Sequence, residues 1–184
     1  MEKDMNFNLI RNCLGNVAKQ EFCEACDRYG VMVWEEFGIH TNIMPYDLDM
    51  FMSNAHDRLR AKRNHACIAV WCTANEGFAE EPIRSELPRL VEALDGTRLF
   101  LQCSTQHPPT DGDGPYETHP PVFYFSELAH GFRPELGSPT VPPVESMRRM
   151  MPHNQLWPIS EMWGTHDWWP GQGWNTGDGL CGQS

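Results

Sequence analysis

Strand-like and helix-like segments alternate along most of this chain, and the alternation limits the folds open to it. Short apolar runs predict strands at residues 7–11, 31–34, 67–72 and 98–103. Apolar residues at helical spacing predict helices between those strands, at residues 17–29, 48–59 and 87–94. Such a strand–helix rhythm is typical of a parallel α/β architecture.

Residues that favour helix ends support the predicted helices. Gly30 follows the first helix and is a favoured C-terminal stop. Asp47 precedes the second helix and can cap its first turn. Pro88 is predicted to lie in the first turn of the third helix, which should end at Asp95 and Gly96.

The rhythm breaks down after residue 106. Residues 107–121 contain several prolines and a run of Asp and Gly, which predicts a surface loop. Residues 122–125 are either a short strand or part of that loop, and residues 144–151 are predicted to be helical.

The C-terminal region is rich in tryptophan. Residues 157–184 hold five of the seven tryptophans among glycines and prolines, so little regular structure is predicted beyond a strand near residues 159–163. Residues 164–184 are predicted to be an irregular Trp/Gly-rich segment. Residues 1–184 as a whole are predicted to form one partial domain.

Composition and charge exclude some classes of partner. The chain has 14 basic against 25 acidic residues and a formal net charge of −11, which argues against phosphate-directed binding of nucleic acid. No apolar stretch reaches the length of a membrane span. No apolar segment follows the first four residues, so no secretory leader is predicted, and the cellular location is left open.

The cysteines leave two interpretations open. There are seven, so at least one thiol has no partner within the chain. Cys23 and Cys26 have the spacing of redox or zinc-ligand pairs, but no second such pair accompanies them. Because they lie in a helical pattern, we favour an apolar stripe over a metal site, and no metal or cofactor is predicted.

Two glutamates are placed for acid–base and nucleophilic chemistry. Glu76 follows the buried-looking run at residues 67–72, and Glu135 has a similar setting downstream. Carboxylates at the ends of parallel strands occupy the place where barrel enzymes hold their catalytic groups. Two such carboxylates are the minimum needed to cleave a glycosidic bond.

The order of short motifs along the chain resembles the catalytic barrel of glycoside hydrolase family 2, with its β-mannosidases and exo-β-glucosaminidases as the nearest branches. The resemblance covers nearly the whole chain. It is carried by Asn6-Phe7-Asn8-Leu9-Ile10-Arg11, Cys26-Asp27-Arg28-Tyr29-Gly30, Val33-Trp34-Glu35-Glu36-Phe37, Arg63-Asn64-His65, Trp71-Cys72-Thr73-Ala74-Asn75-Glu76, Phe132-Arg133-Pro134-Glu135-Leu136-Gly137, Glu145-Ser146-Met147-Arg148-Arg149-Met150 and Leu156-Trp157-Pro158.

The resemblance implies an eight-stranded (β/α)8 TIM barrel that is incomplete here, with about strands 2 to 8 present. In family order, residues 7–11, 31–34 and 67–72 resemble the second, third and fourth strands. Residues 132–135 resemble the seventh strand, and Trp163 lies on the expected eighth. The first strand and the flanking β-sandwich domains are expected to be absent.

The implied reaction is retaining hydrolysis of terminal β-glycosidic bonds of β-mannoside or β-glucosaminide type. Glu135 is the expected nucleophile, which forms a covalent glycosyl-enzyme. Glu76 is the expected acid/base, which protonates the leaving oxygen and then activates water. The expected partner is a β-linked oligosaccharide or glycoconjugate.

The resemblance also implies a substrate-binding set. Asn75 is expected to bond the 2-hydroxyl of the sugar, and Trp163 to pack against the sugar face. Glu36 matches an acidic position near the sugar hydroxyls, Arg11 is expected to position Glu135, and His166 to line the cleft.

Two other interpretations stay open at this point. An incomplete barrel has open edges, so the chain alone is expected to be weakly active or inactive, a remnant that at most binds carbohydrate through its tryptophans. A redox or zinc protein built on Cys23 and Cys26 would belong to a different class and would require stoichiometric metal.

Overall fold

The structure, a computed structural model, describes residues 3–17, 19–41, 43–114, 121–127, 131–136 and 142–164. It divides into two compact units, Met1–Gly112 and Asp113–Ser184. The prediction that residues 1–184 form one domain stays a prediction. Within the described ranges, no helix has the length and apolar character that crossing a membrane requires.

The first unit is built on a parallel four-stranded sheet with the strand order β1-β2-β3-β4. Helices connect the strands in sequence, which confirms the predicted alternation. In chain order the elements are β1 (Leu9–Asn12), α1 (Gln20–Tyr29), β2 (Met32–His40), α2 (Leu48–Lys62), β3 (Ile68–Asn75), α3 (Ile83–Leu94) and β4 (Leu99–Cys103).

Most of the predicted helix ends are confirmed. Gly30 ends α1 in the left-handed conformation, with φ of 65°. The carboxylate of Asp47 accepts a hydrogen bond of 2.9 Å from the backbone N–H of Met50 and so caps α2. The placement of Pro88 was wrong, because α3 begins at Ile83 and Pro88 therefore lies inside the helix.

An interior proline leaves one helical carbonyl without its N–H partner. In α3 that carbonyl belongs to Arg84, four residues before Pro88. The side-chain amide of Gln102, from β4, donates to it at 3.1 Å. The sheet therefore satisfies the group that Pro88 leaves unpaired.

The two faces of the sheet carry different cores. On one face, strand residues such as Val33 and Trp71 pack with Cys23, Leu59 and Leu87 from the three helices. On the other face a smaller cluster consists only of strand residues; its buried members are Trp34, Val70, Cys72 and Leu101. Because side chains alternate along a strand, neighbouring residues of β2 serve different faces.

The second unit contains four helices among its described residues: α4 (Pro121–Ser126), α5 (Val144–Met150), α6 (His153–Leu156) and α7 (Glu161–Gly164). The prediction for residues 144–151 is confirmed by α5. Residues 107–114 contain no helix or strand. Residues 115–120 and 165–184, which hold the rest of the predicted loop and most of the irregular segment, lie outside the described residues.

Two predicted strands of the second unit were wrong, and the segment left open between strand and loop is helical. Residues 122–125 are helical, since Pro121 at the first helical position favours a helix start. Residues 132–135 form no strand because Pro134 cannot donate to a ladder. The N–H of Gly114 donates to Glu135 O at 3.1 Å. Residues 159–163 form no strand. Their C-terminal part lies in the single helical turn α7, in which Trp163 N–H donates to Ser160 O.

Candidate active site

Two consecutive glutamates on β2 point to opposite faces of the sheet. The strand was predicted to end at Glu35 and Glu36, but it continues to His40, so both residues lie inside it. Both side chains are fully buried. Because successive strand residues alternate in direction, Glu36 faces β1 and β3 on the strand-only side, and Glu35 faces the helices.

Glu36 holds an arginine in place at the carboxyl ends of the strands. Its Oε1 accepts from Arg11 Nε at 2.6 Å, and its Oε2 accepts from the backbone N–H of Leu14 at 2.7 Å. Both carboxylate oxygens are therefore engaged within the protein. The predicted contact of Glu36 with sugar hydroxyls stays a prediction, and the geometry supports a role through Arg11.

Arg11 in turn orients Asn75, the last residue of β3. Arg11 Nη2 donates to Asn75 Oδ1, and the thiol of Cys13 is 3.9 Å from the same oxygen. Because Oδ1 accepts these bonds, the amide Nδ2 is left as the donating end of Asn75. The structure therefore brings together three predicted binding residues, Arg11, Glu36 and Asn75. The predicted action of Arg11 on Glu135 stays a prediction.

On the helix side, Glu35 belongs to a buried ion cluster. Its Oε1 lies 2.6 Å from Lys62 Nζ and 3.4 Å from Arg58 Nη1, both from α2, and its Oε2 accepts from Asn12 Nδ2 at 2.8 Å. Lys62 is only 4% exposed. A buried carboxylate is tolerated only when it is paired and hydrogen-bonded, as it is here. Composition and motif order had not indicated this cluster.

The loop after β1 packs closely against a hydrogen bond between α2 and β2. Arg58 Nη1 also donates to the backbone carbonyl of Glu36, and Gly15 packs against this contact. A Cβ on Gly15 would overlap with Arg58 Nη1 and with the backbone oxygen of Glu36. Gly15 also has φ of 63°, in the left-handed region. Glycine is therefore required here for space as well as for conformation.

Gly15→Ala is expected to destabilise the protein more than a substitution that carries conformational strain alone. Gly30→Ala is the matched control, because Gly30 has φ of 65° and nothing within 4 Å of its added Cβ. Overpacking should add about 1–2 kcal/mol to the loss in unfolding free energy at Gly15. Urea unfolding of both variants measures the difference, and equal losses would show that the close approach to Arg58 is unimportant.

Glu76 follows β3 directly and is exposed. Its φ is 58°, a conformation that costs a residue with a side chain about 1–2 kcal/mol. The N–H of Gly77 donates to Asn75 O at 2.7 Å, which closes a three-residue turn centred on Glu76. Across the described chain, its carboxylate has no hydrogen-bond or ion-pair partner. A carboxyl group with this placement is available to a ligand.

The other predicted site residues lie in the second unit. Glu135 is half-buried in a segment without regular structure, and Trp163 is half-buried in α7 rather than on a strand. His166 lies outside the described residues. The pairing of Glu76 with Glu135 and the sugar contacts of Trp163 and His166 stay predictions.

The paired cysteines of α1 belong to the core. Cys23 and Cys26 are buried there, which confirms the predicted apolar stripe. Burial raises the pKa of the Cys23 thiol, and of the Cys67 thiol whose Sγ lies 3.5 Å from Cys23 O. Raised pKa values keep these thiols protonated and poor as metal ligands. Within the part of the chain that the structure describes, no three His, Cys, Asp or Glu side chains are grouped to hold a metal ion.

Comparison with known proteins identifies relatives of this chain. The family model described as glycosyl hydrolases family 2, TIM barrel domain, matches residues 1–111. The mannosylglycoprotein endo-β-mannosidase of Lilium longiflorum is 32% identical over 81% of this chain and 20% of its own length. The β-mannosidase of Bos taurus is 35% identical over 41% of this chain and 9% of its own length.

Solved structures extend the likeness to the fold. The β-D-mannosidase of Dictyoglomus thermophilum covers 93% of this chain, with 21% identity and a TM-score of 0.63, and 23% of that protein is matched. The exo-chitosanase CsxA of Amycolatopsis orientalis covers 89% of this chain, with 18% identity and a TM-score of 0.63, over 22% of its own length. With the four parallel strands of the first unit, these matches confirm an incomplete (β/α)8 barrel. The chain spans about a fifth of the length of the lily relative.

Proposed function

Because the chain belongs to glycosyl hydrolase family 2, we propose that it carries the site of a retaining β-mannosidase. The observation that carries the proposal is Glu76, an exposed carboxylate at the carboxyl end of a buried parallel strand. It directly follows Asn75, whose amide is oriented by Arg11. Catalytic groups of barrel enzymes occupy this edge of the sheet.

In the proposed reaction the two glutamates act in turn. Glu135 as carboxylate attacks the anomeric carbon while Glu76 gives its proton to the departing glycosidic oxygen, so a glycosyl ester replaces the glycosidic bond. Glu76 then takes a proton from water, whose oxygen attacks the anomeric carbon and releases Glu135. Two inversions at that carbon retain its configuration. This sequence needs the two carboxyl groups about 5–5.5 Å apart.

The hydrogen bonds that link Glu36, Arg11 and Asn75 give the proposed site a fixed hydrogen-bond donor. Arg11 is held by Glu36 at 2.6 Å, so its guanidinium has one orientation. With Oδ1 engaged by Arg11, Asn75 presents Nδ2 to the 2-hydroxyl oxygen of the sugar. A donor fixed in advance stabilises charge that develops in the transition state without reorganisation.

A β-mannoside is the substrate class that the relatives favour. The lily relative is named for endo-β-mannosidase activity on mannosylglycoprotein, and the bovine relative for β-mannosidase activity. We therefore place β-mannoside ahead of β-glucosaminide. Whether the bond cleaved is terminal or internal is decided by the experiment below.

The test is a substrate panel with product analysis. We expect hydrolysis of 4-nitrophenyl β-D-mannoside, weaker hydrolysis of the matching β-D-glucosaminide, and the β anomer of mannose as the first product by proton NMR. A mannose-containing glycopeptide distinguishes internal from terminal cleavage by the size of the released sugar. An α anomer as first product would overturn the retaining mechanism. Sugar binding without turnover of any substrate would favour the carbohydrate-binding remnant instead.

A further inference from the structure

We propose that Ser104 and Thr105 are positioning residues that hold the backbone of Glu76 in its left-handed conformation and so aim its carboxyl group at the glycosidic oxygen. This inference rests on the proposed function, in which Glu76 is the acid/base. Both residues directly follow β4, the strand next to β3. Neither belongs to the motifs that carry the family resemblance.

The two side chains bind the peptide groups on both sides of Glu76. Its backbone N–H donates to Ser104 Oγ at 2.9 Å, and its carbonyl accepts from Thr105 Oγ1 at 2.6 Å. Ser104 is fully buried, and its own N–H donates to Ala74 O at 2.9 Å. The pair therefore extends from a rigid strand end, while the Glu76 side chain stays exposed.

These hydrogen bonds stabilise a backbone conformation, φ of 58° at Glu76, that is otherwise disfavoured for a residue with a side chain. Without them the backbone is expected to relax to negative φ, which turns Cβ and the carboxyl group away from their present direction. A misplacement of about 1 Å at a catalytic group lowers the rate by up to about 10²-fold. Ser104 and Thr105 thus act through Glu76 and need no contact with substrate.

Thr105→Val tests the hydroxyl with little change in shape, and Thr105→Ser is the matched control that keeps it. We expect Thr105→Val to lower kcat/KM, which reports glycosyl-enzyme formation, for an alkyl β-mannoside by about tenfold, as for a weakened general acid. We expect a much smaller loss with a dinitrophenyl leaving group, which departs without protonation. Thr105→Ser should match the wild type. Equal losses on both substrates, or the same loss in Thr105→Ser, would overturn the positioning role.

A structural measurement keeps the inference testable apart from activity. In the crystal structure of Ser104→Ala/Thr105→Val, or of Thr105→Val alone if the double variant does not fold, Glu76 should leave the left-handed region while β3 and β4 are unchanged. A positive φ retained at Glu76 would overturn the inference. If Glu76 relaxes as expected but the wild type hydrolyses no β-mannoside, the proposed function fails. The inference that Ser104 and Thr105 hold the backbone of Glu76 then still stands.

Discussion

Glu76→Gln is expected to lower turnover of an alkyl β-mannoside by about 10²–10⁴-fold, the usual contribution of a positioned general acid or base. The amide keeps the shape of the side chain and its backbone turn but has no proton to give to the leaving oxygen. The measurement is kcat/KM, which reports glycosyl-enzyme formation, for alkyl and dinitrophenyl β-mannosides. The loss in glycosyl-enzyme formation should be far smaller with dinitrophenolate, which leaves without protonation.

Two further results separate a catalytic role from general damage. Azide should accelerate turnover of Glu76→Gln with the dinitrophenyl substrate and yield a β-glycosyl azide, because azide attacks the glycosyl-enzyme without a general base. Glu80→Gln is the matched control, since Glu80 is an exposed glutamate of the same loop, and it should retain wild-type rates. Comparable losses in the two variants, or wild-type activity in Glu76→Gln, would contradict the assignment.

Lys62→Met is expected to lower the unfolding free energy by about 3–5 kcal/mol, the range for removal of one partner from a buried ion pair. Lys62 Nζ lies 2.6 Å from Glu35 Oε1, and Glu35 is fully buried. Methionine fills similar space but leaves the carboxylate with Arg58 at 3.4 Å as its nearest remaining cation. Urea unfolding followed by circular dichroism measures the loss.

The controls use the same helix and the same pair. Arg60 is exposed on α2, so Arg60→Met should change stability by less than about 0.5 kcal/mol. Adding Glu35→Gln to Lys62→Met should recover part of the loss, because the stranded charge is removed. An Arg60→Met variant as unstable as Lys62→Met, or a double variant that adds both losses, would contradict the buried-pair argument.

The sheet of the first unit could be predicted because its signals are local. Each strand is a short apolar run, and Gly30 and Asp47 mark helix ends by chemistry that acts within one turn. The position of Glu76 follows from the same run, since it is the first residue after β3. The continuation of β2 to His40 was missed because polar and small residues follow Trp34, whereas pairing with β3 decides the end of the strand.

The partners of the site residues could not be predicted because they are distant in sequence. Lys62 meets Glu35 across 27 residues, and Thr105 meets Glu76 across 29. Neither spacing carries a local signal. Sequence alone does not distinguish a buried helical lysine from an exposed one, because the difference arises only from tertiary packing. The strand predicted at residues 132–135 was wrong although a local signal was present. It followed the resemblance to a family strand, whereas Pro134 lacks the N–H that a strand ladder requires.

The contacts of Arg58 and Lys62 on α2 with Glu35 and Glu36 on β2 also restrict partial unfolding of the first unit. If α2 alone moved away from the sheet, Glu35 would lose Arg58 and Lys62 together, and the Glu36 carbonyl would lose Arg58. Such a partial opening exposes two ionic groups without releasing the sheet, so it costs a large share of the free energy of global unfolding. Helix α2 and strand β2 are therefore expected to exchange their amide protons as one cooperative block.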